Sequence, residues 1–336
     1  MDKRLLQLTQ WAREFTAGEG YPIGSGELVP VSEDASFRRY FRLQGSDSGC
    51  VFVDAPPTKE DLNSFIAITG LLDQGKVSIG KVRGQDLKLG CLAVDDLGDR
   101  LLLAELKENK QQANSRLHQA GLEILKMQQI SSNLPLYSRQ LLEDEMKLFP
   151  EWFLGHKLEF ELTKEWHDLY SRLVDMMIKS ALSQPQAFVH RDFHSRNIML
   201  TADNGMAVID YQDAVIGPLT YDLVSLLKDC YFRVNRTEVV ALVEANWQLL
   251  RHRHPNELKS FPEFLRWFDL MGLQRHLKCA GIFCRLQLRD GKSGYLADVP
   301  LVFEYILEVC DLYEGLAQFG RFLRTNISPV MKEKFV

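Results

Sequence analysis

The spacing of hydrophobic positions changes between the first hundred residues and the rest of the chain. Apolar residues from Leu5 to Phe15 recur at helical spacing and predict a first amphipathic helix that ends near Gly18. Apolar and polar residues between 29 and 53 follow a strand-like pattern, which predicts three strands, the first two joined at 33–36. The beginning of the chain is therefore expected to be rich in β-structure behind one helix.

The pattern continues with a helix expected over 62–72 and two further strands over 81–94, around the turn residues 84–86. After Leu101 the chain is predicted to be mainly helical, interrupted by short β runs in only one stretch. The expected helical segments lie near 109–131, 140–154, 160–181, 219–233, 237–253, 261–290 and 299–323.

The interrupting stretch carries the chemistry. Two short apolar runs, at 188–189 and 207–209, each lead to an aspartate. The residues His190-Arg191-Asp192, with Asn197 five positions after the Asp, fit the H-R-D-x-x-x-x-N signature of a kinase catalytic loop. Asp210 stands where the metal-binding Asp of the D-F-G triplet would be. The stretch predicts a site for phosphoryl transfer.

The residue types agree with that chemistry. Magnesium bound to a nucleoside triphosphate takes oxygen ligands, which Asn197 and Asp210 can supply, and Asp192 can sit at the acceptor hydroxyl. We therefore expect Mg2+ as cofactor and ATP as phosphoryl donor. Taken singly, the tripeptide could be a charged surface turn and the second run an ordinary strand end. Five matched positions in the same order favour the kinase-type site.

Composition bounds the class of protein. The 336 residues suggest two lobes, expected as a β-rich nucleotide-binding lobe over 1–97 and a helical catalytic lobe over 98–336. Hydrophobic content of 46% and a net charge of -5 are typical of a globular protein that does not bind nucleic acid. We expect neither a secretion signal nor a membrane segment, and hence a cytoplasmic protein.

The six cysteines form no C-x-x-C pair and no zinc-type spacing. Free buried thiols in a reducing compartment are therefore expected.

A polar crossover follows the last predicted strand. The segment from Asp95 to Gly98 ends the strand before the chain becomes helical, and adenine is expected to lie against Asp96 and Leu97. An ordinary loop is the alternative. The tip of the first hairpin could lay backbone N–H groups over the phosphates, so Ser36, Phe37 and Arg38 are candidate nucleotide contacts.

In this order of elements the sequence resembles the aminoglycoside phosphotransferase superfamily of kinase-like enzymes. The resemblance covers about residues 25–310 and includes the run from Gly217 to Leu223. It implies an α+β, two-lobed protein-kinase-like fold with a small antiparallel-sheet lobe and a large mainly helical lobe. It also implies that Asp222 braces the catalytic loop, although a carboxylate at a helix start could instead satisfy orphan N–H groups.

Longer runs are similar to the bacterial anomeric kinases of N-acetylmuramate and N-acetylglucosamine. They comprise the segments 34–42, 54–57, 190–197, 210–214 and 266–276. This resemblance implies a small amino-sugar substrate phosphorylated at its C1 hydroxyl, in the recycling of peptidoglycan. No obligate protein partner is evident from the sequence.

One departure concerns the nucleotide phosphates. Kinases of this fold place a Lys on the third strand, paired with a Glu from the next helix, but here that strand reads Val51-Phe52-Val53-Asp54. We expect a nearby cation, Arg38, Arg39 or Lys59, to make the phosphate contact instead.

Cationic side chains near the catalytic loop are candidates for sugar contacts. N-acetylmuramate carries a carboxylate that an Arg or His donor would bind. The candidate substrate-binding residues are His194, Arg196, Asp213, Arg275 and His276. Salt bridging within the helical lobe, or capping of a turn in the case of Asp213, is the alternative for each.

Two other functions remain open at this point. The chain could be another small-molecule kinase, acting on an aminoglycoside, choline or an amino alcohol. It could also be a non-catalytic nucleotide-binding module, which the absence of the third-strand lysine suggests.

Overall fold

A computed structural model describes residues 2–33 and 38–335 of the chain. Its contacts divide the chain into two compact units, Met1–Leu101 with Asn197–Asp213, and Leu102–Arg196 with Ala214–Val336. The first unit holds an antiparallel sheet and two helices, and the second is mainly helical. The predicted α+β class is confirmed. The predicted boundary between residues 97 and 98 stays a prediction.

The first unit is built on a sheet of order β1–β2–β3–β5–β4. Its strands are β1 (Leu28–Glu33), β2 (Arg39–Leu43), β3 (Cys50–Asp54), β4 (Val82–Asp86) and β5 (Cys91–Asp95). Helix α1 (Lys3–Gly18) packs its apolar stripe on one face of this sheet, where Phe41, Phe52 and Ala93 are buried.

Helix α2 (Leu62–Gln74) covers the other face, against Val53 and Leu92. The turn between β4 and β5 lies at 87–90, so the prediction of a turn around residues 84–86 was wrong. Gly90 has a φ of +74°, and a Cβ there would lie 2.2 Å from the carbonyl oxygen of Ala55. Only glycine allows this turn, because it adopts a positive φ without steric cost.

A later hairpin completes the first unit. Strands β7 (Ile198–Leu200) and β8 (Met206–Val208) pair with each other. Val208 also forms a parallel bridge with Ile79, and Met199 an antiparallel bridge with Leu101. These backbone contacts assign 197–213 to the first unit although it follows residue 101 by almost a hundred positions.

The second unit surrounds α9 (Phe261–Asp290), a helix of 30 residues. Gly281 lets α9 approach the end of α5 closely, since a Cβ there would lie 2.4 Å from the backbone of Leu148. The short strands β6 (Gln186–Val189) and β9 (Val215–Pro218) pair antiparallel. The other helices are α3 (Leu102–Glu108), α4 (Ala113–Met127), α5 (Arg139–Leu148), α6 (Lys164–Ser183), α7 (Tyr221–Leu227), α8 (Arg236–Leu250), α10 (Val299–Leu312), α11 (Ala317–Phe322) and α12 (Ser328–Lys334).

The helix predictions for this unit need three corrections. The segment expected over 299–323 is interrupted at Tyr313, which is extended, so α10 ends at Leu312 and α11 begins at Ala317. The helix expected over 219–233 ends at Leu227, because Lys228 leaves helical geometry and the chain turns to direct Asp229 at a backbone N–H. Helix α12 was not predicted. It begins at Ser328 with Pro329 in its first turn, a position that proline favours.

The cysteine prediction is confirmed: Cys50, Cys91, Cys230, Cys279, Cys284 and Cys310 are buried free thiols. Within residues 2–33 and 38–335, the helices are all too short or too polar to span a bilayer.

Candidate active site

The catalytic-loop sequence follows β6 in the second unit and is held by Asp222, at the start of α7. The backbone N–H groups of His190 and Arg191 donate hydrogen bonds to the two carboxylate oxygens of Asp222, at 2.7 and 3.1 Å. Arg191 has a φ of +77°, an uncommon value for a residue with a side chain. The two hydrogen bonds stabilise this strained turn.

Burial raises the pKa of Asp222 to about 6, against the lowering effect of His190 and of the two backbone hydrogen bonds.

Asp192 lies two residues beyond this brace, with a partly buried side chain. Its backbone N–H donates to Nδ1 of His190 at 3.2 Å, and its carbonyl accepts from the N–H of His194 at 3.0 Å. Burial alone would raise the pKa of the carboxyl group, but the charges of Lys278, His194, Arg275 and His190 lower it to about 2. Asp192 is therefore ionised at neutral pH.

A buried carboxylate from α5 neutralises the cations around this loop. Glu145 lies 2.7 Å from the guanidinium of Arg191 and 3.0 Å from Nζ of Lys278, and it accepts hydrogen bonds from Gln274 and Tyr137. Sequence analysis missed Glu145. The sequence pattern that could have identified Glu145 is its position beside Leu142 and Met146, on the apolar stripe of an amphipathic helix, where a charged residue is unusual.

Asp229 is a second missed residue, and it holds the middle of the loop. Its carboxylate accepts the backbone N–H of Ser195 and that of Tyr231, both at 2.9 Å. The ring of Tyr231 contacts His194 edge-on, at 5.2 Å between centroids, and lies under the guanidinium of Arg196, 3.6 Å from its central carbon. The two candidate sugar-binding residues on the loop thus share one aromatic neighbour.

The other candidate sugar contacts have different environments. Arg275 is buried, with NH1 3.5 Å from Sγ of Cys230. His276 has no exposed surface; its Nε2 lies 2.9 Å from the carbonyl of Lys228 and its ring stacks on Tyr305. Burial lowers the pKa of His276 to about 3, so it is neutral. The side chain of His276 would have to become exposed before it could contact a sugar.

Asp213 is exposed, at the end of the segment 197–213.

The candidate metal ligands lie in the first unit, at the open end of the β7–β8 hairpin. The N–H of Ile209 donates to the carbonyl of Asn197 at 3.0 Å, which brings the side chains of Asn197 and Asp210 together, with Nδ2 3.4 Å from Oδ2. Asp210 has a φ of +65°. Such strain at a polar residue is common at functional sites.

Arg38 reaches Asp210 from the beginning of β2 and is 6% exposed. Its guanidinium donates to Oδ1 of Asp210 at 3.2 Å and to Oε1 of Gln212 at 2.8 Å, and its Nε lies 3.7 Å from Glu60. Glu60 immediately precedes the N-cap of α2. An Arg–Glu pair thus stands beside the candidate metal ligand, in a chain whose third strand lacks the expected lysine.

The neighbouring Arg39 points elsewhere. It binds both Asp54, at 2.5 and 2.9 Å, and Asp2. Asp54 is buried and also accepts hydrogen bonds from Arg4. Arg39 is the first residue of β2 and pairs with Asp54 across the sheet, whereas Arg38 precedes the strand and has separate partners.

A row of side chains crosses the sheet on the face that carries Arg42. Val29 pairs with Arg42, Arg42 with Val51, and Val51 with Val94. Arg42 makes a bidentate contact with Asp96, at 2.5 and 2.8 Å.

Asp96 is therefore linked to this row through Arg42, and Leu97 follows Asp96 in the chain. The candidate nucleotide contacts Ser36 and Phe37 lie outside the described residues.

Residues 27–267 match a family described as APH, the phosphotransferase enzyme family. The chain is 39% identical over 330 residues to the N-acetylmuramate/N-acetylglucosamine kinase of Pseudomonas aeruginosa, covering 96% of each chain. It is 38% identical over 320 residues to the protein of the same name from Neisseria meningitidis serogroup B, covering 94% of this chain and 93% of the relative.

Solved structures show the same fold at low sequence identity. A choline/ethanolamine kinase family protein from Mesorhizobium loti superposes with a TM-score of 0.61 at 15% identity, covering 94% of this chain and 99% of the other. Aminoglycoside 2'-phosphotransferase-IIIa, in its GDP complex, gives 0.60 at 13% identity, covering 91% and 99%. The predicted kinase-like fold is confirmed.

Proposed function

The chain belongs to the APH phosphotransferase enzyme family, and we propose on that premise that it transfers a phosphoryl group from ATP to the C1 hydroxyl of N-acetylmuramate and N-acetylglucosamine. The carrying observation is 38–39% identity, over more than nine tenths of both chains, to relatives named as kinases of these two sugars. The proposed reaction makes a sugar 1-phosphate from an anomeric hydroxyl. Its place in peptidoglycan recycling and in the cytoplasm stays a prediction.

The donor set at Asn197 and Asp210 fits magnesium. Both side chains offer oxygen atoms, and Mg2+ is commonly held by one or two such groups while phosphate oxygens and water complete its octahedron. Within residues 2–33 and 38–335 no cluster of three or more His, Cys, Asp or Glu could bind a metal without such help. Magnesium would neutralise charge on the triphosphate oxygens. We assign Asn197 and Asp210 to its ligation.

We assign the phosphate contact of the missing lysine to Arg38. It is buried beside Asp210, and Glu60 orients its Nε side as a helix glutamate orients the lysine in other kinases. A guanidinium can bind two phosphate oxygens at once. Arg39 is committed to Asp54 and is a poor candidate.

We propose that the base lies beside the paired residues Val51 and Val94, next to Asp96 and Leu97 at the crossover. We also keep Ser36 and Phe37 as proposed contacts on the sequence argument alone.

Asp192 is assigned the role of orienting the sugar hydroxyl. With a pKa of about 2 it is a weak proton acceptor, so its main contribution is a hydrogen bond that aims the attacking oxygen at the γ-phosphorus. Positioning and charge neutralisation supply most of the acceleration when the transition state is loose. Asp222 keeps the loop in the conformation that presents this carboxylate.

The acceptor is a small molecule, and we assign it to the surroundings of the catalytic loop. His194 and Arg196 lie on that loop, and the charge of Arg275 acts on Asp192. Asp213 and His276 are kept as weaker candidates. The choline and aminoglycoside enzymes share the fold with this chain at 13–15% identity, which does not argue for their substrates.

The test is a coupled ADP assay with purified protein, MgATP and one acceptor at a time: N-acetylmuramate, N-acetylglucosamine, choline and an aminoglycoside. We expect turnover with the two amino sugars only, and a phosphorus NMR signal coupled to the anomeric proton. Asp192→Asn serves as the inactive control. Turnover with choline or the aminoglycoside alone would reassign the acceptor, and absence of ADP release with every acceptor would reject the kinase.

A further inference from the structure

Arg196, the residue just before Asn197, has an unusual combination of order and unused donors. Its side chain is 37% exposed, and the central carbon of its guanidinium lies over the ring of Tyr231, 3.6 Å from the centroid. The ring centroid of Tyr295 lies 6.0 Å from the central carbon of the same guanidinium. Among the described residues Arg196 donates no hydrogen bond, and its ion pair with Asp298 is long, at 3.8 Å. The guanidinium is therefore held in place by stacking while its N–H groups stay available.

The stacking partner is fixed to the same loop as Asp192. Asp229 accepts the backbone N–H of Tyr231 and also that of Ser195, the residue before Arg196. One carboxylate thus sets the distance between the ring and the loop. Arg196 and Asp192 belong to the same loop. A ligand bound by Arg196 therefore has a defined position relative to Asp192.

The other cations near the loop are occupied. Arg191 and Lys278 both contact the buried Glu145. Arg275 is only 3% exposed, with its NH1 on a thiol. Within the described catalytic-loop segment 190–197, Arg196 combines an exposed guanidinium with available donors.

We infer that the guanidinium of Arg196 binds the lactyl carboxylate of N-acetylmuramate and thereby sets the preference of the enzyme between its two sugars. This inference rests on the proposed function, since N-acetylglucosamine lacks that carboxylate. A charge-assisted pair of hydrogen bonds to a planar guanidinium is strong and directional. The arriving carboxylate replaces the loose contact with Asp298.

The experiment compares kcat/KM for the two sugars in the wild-type protein, Arg196→Met and Arg196→Lys. Losing hydrogen bonds to a charged group lowers affinity by about tenfold to a hundredfold. We expect Arg196→Met to lower kcat/KM for N-acetylmuramate by about that factor and to leave N-acetylglucosamine within about twofold. Arg196→Lys keeps the charge but loses the planar fork. Its kcat/KM for N-acetylmuramate should lie between the values of the wild-type protein and of Arg196→Met.

Arg233→Met is the matched control. Arg233 also lies over a tyrosine ring, that of Tyr305, and it pairs with Glu304 and Glu308 on the surface. The substitution Arg233→Met removes the same charge as Arg196→Met. The ratio of kcat/KM for the two sugars should not change in this control.

The preserved turnover of N-acetylglucosamine reports that Arg196→Met is folded. If the variant loses both sugars to the same extent, or neither, the carboxylate assignment is wrong even though the kinase assignment stands. If the wild-type protein phosphorylates neither sugar, the proposed function itself fails.

Discussion

Removal of the Asp222 carboxylate should loosen the catalytic loop and lower stability together. Asp222→Ala leaves the N–H groups of His190 and Arg191 without their acceptor, in a place where the side chain of Asp222 was 1% exposed. Each unsatisfied buried donor costs about 1–3 kcal/mol. Since Arg191 is only partly buried, we expect a loss of about 3 kcal/mol in the free energy of unfolding.

The same change should reduce turnover. Without the two hydrogen bonds, the φ of +77° at Arg191 is less stabilised. A change in this backbone angle would also move the carboxylate of Asp192, the next residue. A misplacement of about 1 Å can cost on the order of a hundredfold in rate. We expect kcat to fall by about 10- to 100-fold, with little change in the KM for ATP.

Urea unfolding and steady-state kinetics on the same preparations measure both effects. Asp61→Ala is the control, because Asp61 caps α2 from an exposed position and accepts one backbone N–H. That variant should lose about 1 kcal/mol and keep its turnover. Normal turnover in Asp222→Ala, despite the lost stability, would refute the bracing role.

The pH dependence gives an independent check through Asp222→Asn. Burial raises the pKa of Asp222 from 3.8 to about 6, so the folded protein binds a proton that the unfolded chain releases between these values. The contribution of this group is therefore present below pH 3.8 and is lost as the pH rises through 6, a change of about 3 kcal/mol. Asp222→Asn should lack this part of the pH dependence. Identical pH profiles would contradict the raised pKa.

Three further predictions concern other positions. Asp192→Asn should lower kcat by about a hundredfold or more while leaving ATP affinity unchanged, as measured by nucleotide titration; near-normal turnover would reject its role. Arg38→Met should raise the KM for ATP about tenfold or more, whereas Arg39→Met should not; equal effects would remove Arg38 from the phosphate contact. Phe52→Ala should cost about 3–5 kcal/mol in denaturant unfolding, because Phe52 is fully buried against the rings of Trp11 and Phe15; a loss below about 1 kcal/mol would show that this core closes around the gap.

The spacing of apolar residues sufficed for most elements. Helix α1, the strands of the sheet and the long helix α9 follow from local periodicity, because each buries one face and the pattern records which face. The turn at 87–90 and the end of α7 were missed. Both depend on contacts with distant backbone, at Ala55 and at Ser195.

Local sequence also supplied the candidates for the reacting groups, whose roles stay a proposal. The order and spacing of the motif identified Asp192, Asn197 and Asp210. This was possible because short loops limit which side chains at the ends of neighbouring strands can come close together. The supporting residues could not. Glu145 and Asp229 reach the loop from 46 and 34 positions away, and no local pattern records which buried acid meets which cation.

The same limit explains the two arginines at 38 and 39. By sequence alone they were equivalent candidates, together with Lys59, for the phosphate contact. The strand register places Arg39 opposite Asp54, whereas Arg38, just before the strand, contacts Asp210 and Glu60. Sequence thus determined which chemical groups this protein possesses, and only tertiary structure decided their partners, because burial and charge pairing depend on residues far apart in the chain.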